Sequence, residues 1–125
     1  MDTATAHAHL ISVVTSLPTQ ASAQEFHNAF SQGMKNLGWC VRNEVSTYVR
    51  VLGKVGRVDS LCSWKGYHVG VELDRRSPRE KSVLKLEALE ANLKVIILRD
   101  PIEDFSPEEI GVDLILSPSK PSHHQ

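Results

Sequence analysis

Three carboxylates and a run of cations crowd into one short stretch of this sequence. Asp59 closes the string Gly56-Arg57-Val58-Asp59, while Glu72 and Asp74 end the string Val69-Gly70-Val71-Glu72-Leu73-Asp74. Directly afterwards come Arg75, Arg76, Arg79, Lys81 and Lys85, five cations interrupted by a single acid, Glu80. Carboxylate oxygens are what hard divalent cations take, commonly one or two from the protein with water completing the shell. A cation so held can activate water and neutralise charge building on a phosphate. Clustered Arg and Lys are suited to meeting a phosphate backbone. The residue types therefore suit metal-assisted attack on a phosphodiester.

The elements that must position these groups can be read from periodicity and end signals. Ser22 with Glu25 three residues on is a capping box, and Phe26, Ala29, Phe30, Met34 and Leu37 follow at helical spacing, with Gly38 as the stop. Residues 39–52 alternate branched and polar side chains as a half-buried strand or hairpin does, 57–64 and 67–73 read as strands, and Gly53–Gly56 and Lys65-Gly66 as turns. This predicts an antiparallel meander of two or three strands. In Ser77-Pro78-Arg79-Glu80 the sequence predicts a second capped helix, with Ser77 as N-cap and Pro78 in the first turn, running to about Ala91. Leu93–Leu98 is a continuous apolar strand of the doubly buried kind. Ser106-Pro107-Glu108-Glu109 caps a short helical turn, and 112–116 forms a last strand. Residues 1–21 read as a weakly structured N-terminal extension with a short strand or helix near His9–Val14, residues 22–116 as the single domain, and 117–125 as a frayed tail.

On strand 67–73 the side chains of Glu72 and Asp74 share one face and Leu73 takes the other. An acid flanked by Val and Leu on a buried strand is costly unless it is paired or binds a metal. That cost is the physical reason to suspect a site there. His68 has the same parity and is an auxiliary candidate.

These strings resemble the core of the PD-(D/E)XK nuclease superfamily, across roughly residues 22–116, by element order and motif spacing. The resemblance implies an α/β, restriction-endonuclease-like core in the order α-β-β-β-α-β plus a terminal strand, a mixed sheet with an antiparallel meander flanked by helices. It implies Asp59 and Glu72 as ligands of Mg²⁺, with Mn²⁺ as substitute and the Leu73 carbonyl completing the shell. The third motif position, usually Lys, is here Asp74, which becomes a third ligand or a base orienting water. Glu44 stands where many members carry an early acid. Arg75, Arg76, Arg79, Lys81 and Lys85 would then meet the nucleic-acid backbone. The activity implied is a DNA endonuclease, acting as a homodimer. The alternative is a nuclease-fold module that binds nucleic acid or a protein partner without the chemistry.

Blander readings stand beside these. Asp59 and Glu72 could be strand-end residues facing solvent, Asp74 could pair with Arg75, Arg76 or Arg79, and the basic run could be a solvated helix face. Glu44 could pair across strands with Arg42 or Arg50. The formal charge of −1 excludes a uniformly basic coat but not a local patch. No apolar run reaches the length of a membrane span. With no export signal visible, Cys40 and Cys62 are expected as reduced, core-facing residues in a cytoplasmic compartment. His7 and His9 fall in the weakly structured extension, and no zinc-type spacing occurs among the histidines.

Overall fold

The structure, a computed structural model, describes residues 1–119. Its elements run α1 (Thr3–Thr15), α2 (Ala23–Asn36), β1 (Cys40–Val49), β2 (Lys54–Trp64), β3 (Tyr67–Asp74), α3 (Glu80–Ala88), β4 (Leu93–Leu98), α4 (Pro107–Ile110) and β5 (Leu114–Leu116). The five strands make one mixed sheet in sequence order. β1, β2 and β3 are antiparallel neighbours, whereas β4 and β5 continue in parallel with β3. The chain is thus α/β, with helices on both faces of the sheet. No helix among the described residues is long and apolar enough to cross a membrane.

Side-chain alternation along the strands divides the core in two. Val69 and Val71 point toward α1 and α2, where Leu10, Val14, Phe26, Phe30 and Met34 are buried. Val58, Ile96 and Leu98 meet Leu86 of α3 and Leu89 just after it on the opposite face. β4 contributes to both, as its unbroken apolar run requires.

α2 begins where its sequence signals place it. Ser22 Oγ accepts from the Glu25 N–H at 3.2 Å and donates to the Glu25 carboxylate at 2.9 Å. α3 does not: it starts at Glu80 with Arg79 as N-cap, ends at Ala88, and makes no use of Ser77 as a cap. The reason lies in Asp74, described below. At the short α4 the expected Ser106 cap is present.

The largest departure is at the N-terminus. The stretch expected to be weakly structured is a thirteen-residue helix capped by Asp2, whose side chain accepts from Thr5 N–H. Ala6, Leu10, Val13 and Val14 of α1 are buried in the same cluster as α2 and the sheet. Gly33 of α2 permits the close approach, since a Cβ there would lie 2.7 Å from Val13 Cγ1. His9, expected in a weakly structured extension, instead accepts from Trp39 Nε1 at 3.1 Å and packs edge-on against that ring. Cys62 is buried as expected, but Cys40 is exposed because it opens the edge strand β1. Of the expected tail, 117–119 are described and 120–125 lie outside the described residues.

Burial of α1 has a measurable consequence. Leu10 is 0% exposed, so Leu10→Ala is expected to cost about 2–5 kcal/mol of unfolding free energy. Chemical denaturation of the two proteins checks this, and a loss within about 0.5 kcal/mol would show that α1 is not part of the core.

Candidate functional site

The site is a break in the β2–β3 ladder. Regular pairing of these strands runs from Trp64↔Tyr67 as far as Ser60↔Val71. At the next step Asp59 and Glu72 replace backbone bonding with side-chain bonding. The Asp59 N–H donates to Glu72 Oε2 at 2.7 Å, and the Leu73 N–H donates to Asp59 Oδ2 at 2.7 Å. Each carboxylate therefore sits where a carbonyl of the partner strand would otherwise accept. The strands are held apart by their own acids.

The break extends across β1. Asn43↔Ser60 and Val45↔Val58 are paired, so Glu44 occupies the place opposite Asp59, yet it drops out of the ladder with φ at +56°. A non-glycine residue in this left-handed region is uncommon and marks local strain. Glu44, Asp59 and Glu72 thus occupy one row of three neighbouring strands, with Glu44 exposed, Asp59 half-buried and Glu72 wholly buried.

Glu72 is the costly member. Its side chain is 0% exposed and faces α3, where the ammonium of Lys85 lies against Oε1. That close ammonium–carboxylate contact is a charge-assisted pair that holds Oε1 inside the sheet. Lys85 Nζ also donates to the Arg57 carbonyl at 2.9 Å. The Lys85 stem lies over Gly56, where a Cβ would come within 3.0 Å of it. Burial, and then the neighbouring Asp59, push the Glu72 carboxyl up from 4.5 to about 7, against the opposing pull of Lys85 and the Asp59 N–H.

Asp74 shares the face of Glu72 but is fully committed. Its Oδ2 accepts the Arg79 N–H at 2.9 Å, and its Oδ1 accepts Arg79 Nε at 2.8 Å and Ser82 Oγ at 2.9 Å. The end of β3 thereby supplies an acceptor at the start of α3, whose N-cap residue Arg79 makes no side-chain cap bond, and an acid at a helix N-terminus also favours the dipole. The Arg79 guanidinium is raised above its ordinary value, chiefly by this bond to Asp74.

The remaining candidates scatter. Arg76 pairs with Asp100 at 3.0 Å, and Lys81 is exposed on α3. His68 accepts or donates to Ser63 at 2.7 Å and lies four residues before Glu72 on β3, about 13 Å along an extended strand. Arg75 and Arg79 line a cleft of about 330 Å³ with Asp59, Asp74, His27 and Arg99. Lys85, expected on the nucleic-acid backbone, faces inward. Its position was available from helical spacing, because residues 82, 85, 86 and 89 fall on one side of α3 and Ser82, Leu86 and Leu89 are buried. Arg99 and His27 carried no local signal.

The acid pair offers oxygen donors of the kind a hard cation takes. Backbone N–H groups occupy Asp59 Oδ2 and Glu72 Oε2, and the Lys85 ammonium occupies Glu72 Oε1. Among the described residues no three His, Cys, Asp or Glu side chains gather into a set that could hold a metal. No protein-family model and no curated protein matches the chain.

A raised carboxylate makes stability fall with pH. Between about 4.5 and about 7 the folded chain retains a proton on Glu72 that the unfolded chain has released. The unfolded state then binds fewer protons, so stability declines through this window and levels off above it. Glu72→Gln is expected to flatten that part of the profile, gaining on the wild type from about pH 5 to about pH 8. Thermal unfolding across this range is the check. Parallel profiles for the two proteins would place the Glu72 pKa near its ordinary value.

Proposed function

We propose that this chain is a Mg²⁺-dependent nuclease domain that hydrolyses DNA phosphodiesters, with Asp59 and Glu72 as the metal ligands. The observation that carries the reading is the carboxylate pair wedged into the β2–β3 ladder, a wholly buried Glu72 beside a half-buried Asp59. Backbone donors fix both side chains, so loading requires chiefly that the Lys85 ammonium withdraw from Oε1. Two carboxylates with water suffice for Mg²⁺, and the Leu73 carbonyl is the next oxygen along the strand. Bound there, such a cation supplies positive charge beside the phosphate and lowers the pKa of water.

The order α2-β1-β2-β3-α3-β4 supports a restriction-endonuclease-like core, since it matches the order the sequence resemblance implies. In this reading the lysine that the motif lacks at residue 74 is supplied by Lys85, delivered from α3 to Glu72. Its ammonium opposes the effect of burial on Glu72 and adds positive charge beside the acids. Asp74 is then a positioning residue, fixing the start of α3 and hence the reach of Lys85. Arg79 lies beside the acids and is half committed to Asp74, with most of its side chain exposed. Two copies acting as a homodimer would allow cleavage of both strands.

A second reading draws on the Glu72–Lys85 pair itself. An acid already neutralised by a lysine can be a closed structural pair, leaving a module that binds nucleic acid without cleaving it.

Incubation with supercoiled and branched DNA separates the two. With Mg²⁺ or Mn²⁺ the wild type is expected to cut, EDTA to abolish cutting, and Asp59→Asn or Glu72→Gln to slow it by about 100-fold or more. No cleavage by the wild type, or undiminished cleavage by Asp59→Asn, would exclude the hydrolytic reading.

A further inference from the structure

Beyond the acid pair, the ends of β3 and β4 bring two cations side by side. The parallel register runs from Val69↔Leu93 to Asp74↔Leu98, so Arg75 and Arg99 stand one step beyond the last pair, next to each other. Their backbones are held there. Arg99 N–H donates to the Asp74 carbonyl at 3.0 Å, and Asp100 N–H donates to the Arg75 carbonyl at 2.7 Å. The Arg99 guanidinium is anchored through Nη1 to the Ala21 carbonyl at 2.8 Å. Like charges on neighbouring strands repel, and that cost persists unless an anion lies between them.

Of the three acids that line the adjoining clefts, Asp59 spends Oδ2 on the Leu73 N–H, and the other two are paired with other arginines. Asp100 is taken by Arg76 at 3.0 Å, and Asp74 by Arg79 at 2.8 Å. Arg75 and Arg99 are also the two residues shared by two adjoining clefts, one of about 330 Å³ reaching Asp59, Asp74 and His27, the other of about 410 Å³ reaching Thr19, Gln20 and Asp100. Both clefts open at the C-terminal ends of the parallel strands, where open α/β sheets receive their ligands.

We infer that Arg75 and Arg99 form a phosphate-binding subsite, with one phosphate group bridging the two guanidinium groups where the clefts meet. The phosphate is one carried by a nucleic-acid strand, placed beside the one that Asp59 and Glu72 would address. The subsite itself stands on the geometry, whereas its assignment to nucleic acid rests on the nuclease reading. Guanidinium forks suit this role, since they bind phosphate oxygens in pairs.

The test is run in EDTA at low ionic strength, so that metal binding and cleavage play no part. Calorimetry reads inorganic phosphate, and fluorescence anisotropy reads a labelled single-stranded oligonucleotide. Both ligands are expected to bind the wild type, and Arg75→Gln, at an exposed position, is expected to weaken both by about tenfold or more. The oligonucleotide's salt dependence should become shallower by about 0.7 in log K per log salt. Arg99→Lys, which retains a donor for Ala21, should weaken phosphate in the same direction, and Arg50→Gln on the distant hairpin should leave both affinities unchanged. Failure of the wild type to bind either ligand, or equal losses from Arg75→Gln and Arg50→Gln, would overturn the subsite. Binding of inorganic phosphate without the oligonucleotide would overturn its assignment to nucleic acid. Arg75-dependent binding by a protein that never cuts DNA would sink the hydrolytic reading alone.

Discussion

A single buried carboxylate governs the local architecture of this protein. Glu72 is placed on the central strand, wholly out of water, with a hydrophobic neighbour on either side in sequence. Such a charge is tolerated only when partners replace its hydration. The structure provides two: the Asp59 N–H, taken from the β2 ladder, and the Lys85 ammonium, brought in by α3. The splayed ladder, the orientation of α3 and the space left by Gly56 all follow from meeting that demand.

The two partners differ in kind. The Asp59 N–H belongs to the backbone and has lost its carbonyl acceptor in exchange, so it fixes Glu72 rigidly. Lys85 is a side chain from another element, whose ammonium meets Oε1 and also donates to the Arg57 carbonyl. Asp74 ties this arrangement to the rest of the sheet, because the same residue that ends β3 starts α3. The acids and cations of the stretch from Asp59 to Lys85 thus divide by role: Glu72 and Lys85 meet inside, Asp74 and Arg79 form a hinge of strand and helix, and Arg75 stays exposed at the cleft.

Much of this was visible in the sequence, where the controlling signal was local. The Ser22–Glu25 capping box, the apolar run of β4 and the Lys65-Gly66 turn each depend on a few adjacent residues, and each element lies where those residues put it. The adjacency of Asp59 and Glu72 also followed from strand pairing. What was hidden depends on distant contacts. Ser77 offers a good cap, but Asp74 reaches the helix first from the sheet, which moves its start to Glu80. α1 lacks charged residues in its first and last turns, and its burial rests on Gly33 of another helix and on Trp39 meeting His9. Lys85 was read as a surface cation because its charge outweighed its place on the buried side of α3. Arg99 follows a strand whose apolar run gave no hint of the cation beside it.

The most direct test of the central claim is the position of a manganese ion. Crystals grown or soaked with Mn²⁺ should show one anomalous scattering peak between Asp59 and Glu72, within coordination distance of both carboxylates, with the Lys85 ammonium drawn back from Oε1. A Glu72–Lys85 pair left intact, with no peak at Asp59, would show that the buried acid is a structural ion pair and that the proposed metal centre does not exist.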